Sequence, residues 1–159
     1  MSDIQVYADP GNSIGYLTRI AFRAFSRALE VRTSLHGVSS GQWRFLRVLW
    51  REEGLTQREL SRRVGMREPT TVIALKSLER SGFVERRKSE SDRRKAHVFL
   101  TPRARELQAV LLPAVAQVNE AAIRGLTPEE VAVLKKALAQ VGRNLMAEVG
   151  EEAPFDSIA

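Results

Sequence analysis

The sequence predicts a mainly α-helical chain with one small β-hairpin, arranged as a winged helix-turn-helix with N- and C-terminal dimerisation helices. Three observations predict this fold class. Residues 55–82 show two short helical patterns separated by a glycine, and residues 83–100 alternate between apolar and polar side chains. Long amphipathic patterns lie on both sides of these segments.

These patterns divide the chain into four parts. They are an N-terminal arm and dimerisation helix in residues 1–36, a winged helix-turn-helix in residues 37–101, C-terminal dimerisation helices in residues 102–150, and a flexible tail in residues 151–159. Residues 37–101 are called the winged unit below.

The N-terminal part begins with a polar arm, residues 1–12, which we expect to be flexible and to end at a helix N-cap, Asn12 or Ser13. Apolar residues then recur every three or four positions up to Leu35, as they do in a long amphipathic helix. Gly37 breaks this pattern.

A second, shorter helix is predicted to begin at a capping box. Ser39 and Gln42 have the required spacing, in which each side chain satisfies a free backbone N–H of the first turn. Trp43 and Trp50 lie in this helix and are interpreted as core residues, since large aromatic side chains contribute much of the buried apolar surface of a domain.

The helix-turn-helix follows. Thr56 and Glu59 form a second capping-box pattern, and Gly65 is suited to end that helix in a left-handed conformation. Pro69 fits the first turn of the next helix, because that turn does not need its N–H, and Gly82 ends it. Two helices joined by a tight turn are therefore predicted.

After these helices the sequence predicts a wing. Residues 83–87 and 96–100 read as strands, and the polar residues 88–95 between them contain the Ser and Asp that favour turns. A hairpin directly after a helix-turn-helix is the third part of a winged helix.

Two more helices are predicted after the wing. Thr101 begins the first, in which Pro113 is expected to introduce a kink, and the capping box of Thr127 and Glu130 begins the second. Together with the N-terminal helix they carry more apolar surface than a small winged unit can cover. The sequence therefore predicts a homodimer.

Composition excludes several classes of function. The chain of 159 residues has no Cys, which excludes thiol redox chemistry, and its only histidines, His36 and His97, form no triad or zinc pattern, so we expect neither an enzyme nor a metal site. His36 is interpreted as a helix C-terminal residue and His97 as a solvated wing residue. No apolar run approaches membrane-spanning length, so we expect a cytoplasmic protein without a membrane partner.

Positive charge is concentrated in and beside the winged unit. From residue 55 to residue 105 there are 14 Lys or Arg and 6 Asp or Glu, a net charge of +8, which leaves −2 for the rest because the total is +6. A local excess of this kind is expected where a protein neutralises phosphates. Charge and pattern together predict double-stranded DNA as a partner.

Four segments of the chain share a further pattern. They are Leu-Thr-Gln-x-Glu-Leu at 55–60, Pro-Thr-Thr-Val at 69–72, Leu-Glu-Arg-Ser-Gly-Phe-Val-Glu-Arg at 78–86 and Ser-Asp-Arg-Arg-Lys-Ala-x-Val-x-Leu-Thr at 91–101. In this order they resemble the MarR family of bacterial transcriptional regulators, and the resemblance implies a triangular dimer. The sequence departs from the family in having Lys95 where Ala is usual and Ala104 where Gly is usual.

The second helix of a helix-turn-helix presents its N-terminal half to base edges in the major groove. The candidates for base contacts are Arg67, Thr70, Thr71 and Lys76. Arg67 is able to bind guanine O6 and N7 through two hydrogen bonds. Arg62 and Arg63 are expected to contact phosphate.

In the wing, Arg93 or Arg94 is expected to enter the minor groove, and Lys95 adds charge beside them. The family resemblance favours Arg94 as the inserted side chain and implies that Asp92 holds the wing arginines in place; a plain turn-forming role for Asp92 is the alternative. A dimer would place two such units on a pseudo-palindromic operator with half-sites about 10 base pairs apart.

The resemblance further implies a repressor that releases DNA when a small aromatic or phenolic effector binds between the dimerisation helices and the DNA-binding lobe. Residues that could line such a crevice are Tyr16, Arg19, Arg23, His36 and Trp43. An alternative remains open from the residues alone: a winged helix can serve as a protein-interaction module whose Arg-rich wing contacts an acidic partner.

Overall fold

The computed structural model describes residues 4–92 and 94–154. Its helices are α1 (Ile14–Thr33), α2 (Ser40–Leu49), α3 (Gln57–Val64), α4 (Glu68–Arg80), α5 (Pro102–Ala122) and α6 (Pro128–Glu148). Its strands are β1 (Leu55–Thr56), β2 (Val84–Lys88) and β3 (Ala96–Leu100). The predicted fold class is confirmed: the chain is mainly helical with one small antiparallel sheet.

The helices begin where side-chain caps satisfy their first amides. The three predicted capping boxes are all formed, at Ser39–Gln42, Thr56–Glu59 and Thr127–Glu130. Ser13, rather than Asn12, caps α1 and accepts a hydrogen bond from the N–H of Tyr16 at 3.2 Å. These caps depend only on residues three positions apart, which is why the sequence predicts them well.

The arm before α1 differs from the prediction. Residues 4–12 form two short 3-10 helices, Ile4–Ala8 and Pro10–Asn12, and the Asn12 side chain donates to the carbonyl of Val6 at 3.2 Å. Asp9 caps the second of them by accepting from the N–H of Gly11. Local side-chain hydrogen bonds of this kind stabilise short helical turns in place of an irregular backbone.

The sheet has three strands in the order β1-β3-β2, all antiparallel. The hairpin of β2 and β3 is confirmed, with β2 beginning one residue later than predicted. β1 is missing from the sequence prediction, because two residues are too few to show alternation. It pairs with β3, where Leu55 lies opposite Val98, so only the folded chain defines it.

The hydrophobic core lies inside the winged unit and extends to α5. Its largest fully buried side chains include Phe45, Phe83, Leu75 and Leu78. Trp43 is buried and stacks edge to face on Trp50 with ring centroids 5.5 Å apart, which confirms both as packing residues. The Trp50 indole N–H also donates to the carbonyl of Ala104 at 2.9 Å and so ties α2 to α5.

The outer helices bury little within one chain. In α6 none of the described residues is buried; Leu145 is 64% exposed, and Val149 at the C-cap of the helix is 68% exposed. Several large apolar residues of α1 are also exposed, namely Ile14, Leu17, Ile20, Phe22, Phe25 and Val31. No helix in the described part of the chain is long and apolar enough to cross a membrane.

Candidate nucleic-acid interface

The turn between α3 and α4 is fixed by local interactions. Gly65 ends α3 with a φ of 73°, in the left-handed region that favours glycine. The Ser61 hydroxyl donates to the carbonyl of Met66, whose own N–H donates to the carbonyl of Ser61 at 3.0 Å. These bonds set the direction in which α4 leaves α3.

The two faces of α4 have different surroundings. Thr71, Leu75 and Leu78 are buried and share one side of the helix, because they are four and three positions apart. The opposite side is exposed and is called the outer face of α4; its residues are Pro69, Thr70, Ile73, Lys76 and Arg80. Only this outer face is available to another molecule.

The structure contradicts the prediction that Thr71 contacts bases. Its side chain is fully buried, and its hydroxyl donates to the carbonyl of Arg67 at 3.1 Å. The cause is helical phase, since Thr71 lies on the same side as Leu75, which belongs to the core. Thr70 and Lys76, predicted for the same role, are exposed.

Sequence reasoning missed two residues of the outer face, Ile73 and Arg80. Both are exposed and lie three and four positions from Lys76. Helical phase counted from the apolar Leu75 and Leu78 would have identified them.

The C-terminal end of α4 is held by α2. The Gln42 side-chain amide donates to the hydroxyls of Ser77 and Ser81 at 3.2 and 2.9 Å, while its oxygen accepts from the N–H of Ser39. One buried glutamine therefore both caps α2 and positions α4. Such a support fixes the angle of the outer face relative to the core.

The arginines of α3 and the following turn differ in their ion-pair partners. Arg63 forms a 2.9 Å ion pair with Glu52, whereas Arg62 lies 3.5 Å from Glu152 of the C-terminal segment in a pair that is largely exposed. Arg67 occupies the N-cap position of α4 and is exposed. Exposed pairs contribute only about 0–1 kcal/mol, so Arg62 remains available to phosphate.

The base of the wing is anchored to the helices by carboxylates. Glu53 accepts from the N–H of Leu100 at 2.7 Å and from the Arg105 guanidinium at 2.9 Å. Arg86 of β2 pairs with Glu79 of α4 at 2.9 Å. These contacts fix the hairpin relative to the outer face of α4.

His97 is not the solvated wing residue that the sequence predicts. It is partly buried, and its Nδ1 donates to the carbonyl of Gly54 at 2.8 Å. Gly54 has a φ of 75°, and a Cβ there would lie 3.2 Å from the ring of Phe99. The loop before β1 is thus packed on β3, through contacts between residues 43 positions apart in the sequence.

The wing tip, residues 89–95, is a turn closed by its own polar groups. The Asp92 carboxylate accepts from the backbone N–H of Arg94 at 3.0 Å, and the carbonyl of Lys95 accepts from the N–H of Ser89 at 2.9 Å. Asp92 therefore acts as a turn former on the backbone of Arg94. Arg93 lies outside the described residues.

The basic residues fall into two groups by their partners. Arg63, Arg86 and Arg105 are engaged by carboxylates, and Arg87 both bonds to Glu85 and lies 4.3 Å above the Phe99 ring. A second group forms no ion pair with any described residue; between residues 67 and 95 it comprises Arg67, Lys76, Arg80, Lys88, Arg94 and Lys95. The second group supplies the cations that can neutralise an external anion.

A cavity of about 550 Å³ lies between α1, α2, α5 and the α3–α4 turn. Apolar side chains and two arginines line it, among them Phe22, Phe25, Trp43, Arg44, Arg47 and Met66. The Arg44 guanidinium lies 4.7 Å above the ring of Phe22. The volume is in the range of small-molecule sites, and the two cations would favour an anionic occupant.

Of the five residues predicted to line an effector crevice, Trp43 borders this cavity. Tyr16, Arg19 and Arg23 are exposed on α1, with the Arg19 guanidinium 5.3 Å above the Tyr16 ring. His36 is exposed in the short 3-10 helix Ser34–His36 that follows α1. A single chain does not bring these four residues to the cavity.

The described residues contain no group of three or more His, Asp or Glu placed to hold a metal ion. One carboxyl is shifted in its titration: hydrogen bonds from the backbone N–H and the hydroxyl of Thr56 lower the pKa of Glu59 below its usual 4.5. This shift belongs to the capping box of α3 and indicates no catalytic role.

Comparison with known sequences identifies the winged unit. The MarR family model matches residues 38–96. The HTH-type transcriptional regulator TtmR of Methylorubrum extorquens is 33% identical over 132 residues, which cover 82% of this chain and 66% of the relative. The chain thus spans about two thirds of the length of that relative.

Solved structures show the same fold. Transcriptional regulator PA3341 is 34% identical, with a TM-score of 0.74 over 85% of this chain and 99% of that one. A MarR family regulator from Listeria monocytogenes, solved in complex with a 26mer DNA, has a TM-score of 0.76 over 88% of this chain and 97% of that one. At 20% identity the latter similarity shows the fold alone.

Proposed function

The chain belongs to the MarR family of transcriptional regulators, and we propose that it binds a pseudo-palindromic operator as a homodimer and represses transcription until a small ligand binds. The observation that carries the proposal is the set of cations without internal partners on the outer face of α4 and at the wing tip. Arg63 and Arg86, elsewhere in the winged unit, are instead paired with carboxylates of the same chain.

DNA fits these two surfaces in different ways. Arg67 at the N-cap of α4, with Thr70 and Lys76 on its outer face, offers the hydrogen-bond donors that base edges in the major groove accept. At the wing tip, Arg94 and Lys95 are exposed on a closed turn, the geometry by which a basic side chain enters a minor groove. The Listeria regulator, which shares the fold and was solved with a 26mer DNA, supports DNA as the class of ligand.

The exposed apolar surfaces of α1 and α6 support the homodimer. Water-exposed Val133 and Leu145 on a helix with no buried residue are unfavourable in an isolated chain. A second copy would cover them and place two outer faces on one duplex. Two equal units related by a two-fold axis require an operator with matching half-sites.

The cavity supports a ligand-responsive regulator. It is bordered by Val64, Gly65 and Met66, so an occupant would touch the turn that directs α4. Arg44 and Arg47 favour a small aromatic or phenolic anion. Such a ligand alters DNA binding only to the extent that it prefers one arrangement of the two outer faces over the other.

The test is selection of bound duplexes from a random library, followed by fluorescence anisotropy on the enriched sequence at several salt concentrations. We expect a palindromic consensus bound at least about a thousandfold more tightly than random DNA. Arg94→Ala should weaken binding about tenfold or more without dissociating the dimer. Arg124→Ala, which removes the same charge from the turn between α5 and α6, is the control and should have little effect.

Either of two results would refute the DNA assignment. The first is steep salt-dependent binding with no enriched sequence, which would favour a protein-interaction module with an acidic partner. The second is equal affinity for Arg94→Ala and the Arg124→Ala control. The ligand is tested separately, by adding 4-hydroxybenzoate to the protein–DNA complex; release that Arg47→Ala abolishes supports the cavity as its site.

A further inference from the structure

Ile73 is exposed in a place where the folded chain gives it no partner. Among the described residues of the winged unit it is the only large hydrophobic side chain that is exposed, at 69%. The other exposed large hydrophobics of the described residues lie outside the winged unit, in residues 4–35 and 110–149.

Neither folding nor solubility explains an isoleucine at this position. Its exposed side chain contributes nothing to the core, and isoleucine has a lower helix propensity than the Lys, Glu or Arg usual on helix surfaces. A single exposed apolar residue is common on proteins. Ile73, however, lies at the centre of the outer face of α4, which binds DNA in the proposed function.

The neighbours of Ile73 narrow the kind of contact it can make. Thr70 and Lys76 lie three positions before and after it, so all three side chains share the outer face of α4. Polar side chains therefore flank the apolar side chain of Ile73 on both sides. A surface that complements this arrangement has hydrogen-bonding groups on both sides of a small apolar group.

The major groove offers one such apolar group. Thymine carries a 5-methyl group at its groove edge, beside the O4 acceptor and next to the N7 and N6 groups of its paired adenine. We infer that Ile73 is a specificity-determining residue that contacts a thymine methyl group in each half-site. The inference rests on the proposed function. It specifies thymine as the base that the centre of the outer face of α4 selects.

Deoxyuridine isolates this contact, because it differs from thymidine only in lacking the methyl group. In the enriched operator, each thymine is replaced in turn by deoxyuridine in both half-sites, and the affinity is measured by anisotropy at constant salt. For the wild-type chain we expect one thymine position at which affinity falls about fourfold per half-site, the effect of losing one buried methyl group.

The variants assign the effect to Ile73. I73A should bind the thymine operator with the same reduced affinity and should show no further loss at that position. Because the side chain is exposed, the substitution should leave folding intact. R62A is the control: it should bind all operators more weakly and still lose affinity when that methyl group is removed.

Three results would overturn the inference while leaving the proposed function in place. They are a consensus whose half-sites contain no thymine, wild-type affinity that no deoxyuridine substitution changes, and equal sensitivity of I73A and the wild-type chain to the methyl group. Failure to enrich any sequence would refute the proposed function itself, and with it the inference.

Discussion

The winged unit buries most of its large apolar side chains, whereas the helices around it leave many of theirs exposed. In the winged unit, Phe45, Leu75 and Phe83 are fully buried within one chain. In α6, Leu134, Leu138 and Leu145 are exposed although the helix is equally regular. One region is therefore complete as a single copy, whereas the other leaves apolar surface exposed that the proposed homodimer would cover.

This difference has a consequence for recognition. The outer face of α4 is rigid within each chain, because the core residues on its opposite side and the Gln42 amide fix it. In the proposed homodimer, the packing of the outer helices would set the distance between two such faces. The cavity borders both regions, so the proposed ligand would be able to alter this distance without disturbing either recognition face.

The largest effect is expected from charges in the outer helices. Replacing Leu138 and Val141 with glutamate should raise the dimer dissociation constant about a hundredfold or more, because two carboxylates would be buried without partners. Analytical ultracentrifugation would measure it. The control replaces Lys136 and Gln140, both exposed on the same helix, with glutamate. If the Leu138 and Val141 variant remains dimeric, the interface lies elsewhere.

The next effect should be confined to the winged unit. Leu75→Ala removes a fully buried side chain and should lower the free energy of unfolding by about 2–5 kcal/mol in urea denaturation. Ile73→Ala, two residues away on the exposed face, should change it by about 0.5 kcal/mol or less. Equal losses for the two variants would mean that the faces of α4 are wrongly assigned.

The capping boxes and the burial of Thr71 show what the sequence can and cannot predict. Helices and their starts depend on side chains three or four positions apart, so the boxes at Thr56 and Thr127 are visible in the sequence. The facing of Thr71 depends on which side of α4 meets the core, and its position near the start of the helix does not reveal that side. Contacts such as His97 to Gly54 and β1 to β3 join distant residues and have no local pattern.

A smaller effect concerns the start of α3. Glu59 has a lowered pKa in the folded chain, so its ionised form stabilises the fold fully above its unfolded pKa of about 4.5 and less as the pH falls through the folded value. Glu59→Gln should therefore cost about 1 kcal/mol at most at pH 7, and the difference from wild type should shrink in acid. Thermal unfolding from pH 7 to pH 3 measures this. A stability difference between Glu59→Gln and wild type that grows as the pH falls would contradict the predicted direction of the pKa shift.

The smallest effect is expected at the C-terminal segment. Glu152→Gln removes the 3.5 Å pair with Arg62, in which both side chains are largely exposed, and stability should change by about 0.5 kcal/mol or less. The melting temperature at low and at 0.5 M salt is the measurement. A clear destabilisation at low salt that disappears at high salt would show that this segment stabilises the helix-turn-helix more than its exposure indicates.

The central claim is that two rigid outer faces, fixed in register by the outer helices, bind one duplex together. The most direct measurement compares the affinity for the selected operator with that for the same operator after insertion of about five base pairs, half a helical turn, between its half-sites. The claim predicts a loss of about a hundredfold or more, since the insertion turns one half-site to the opposite side of the duplex. Unchanged affinity would contradict it and would mean that each winged unit binds DNA independently.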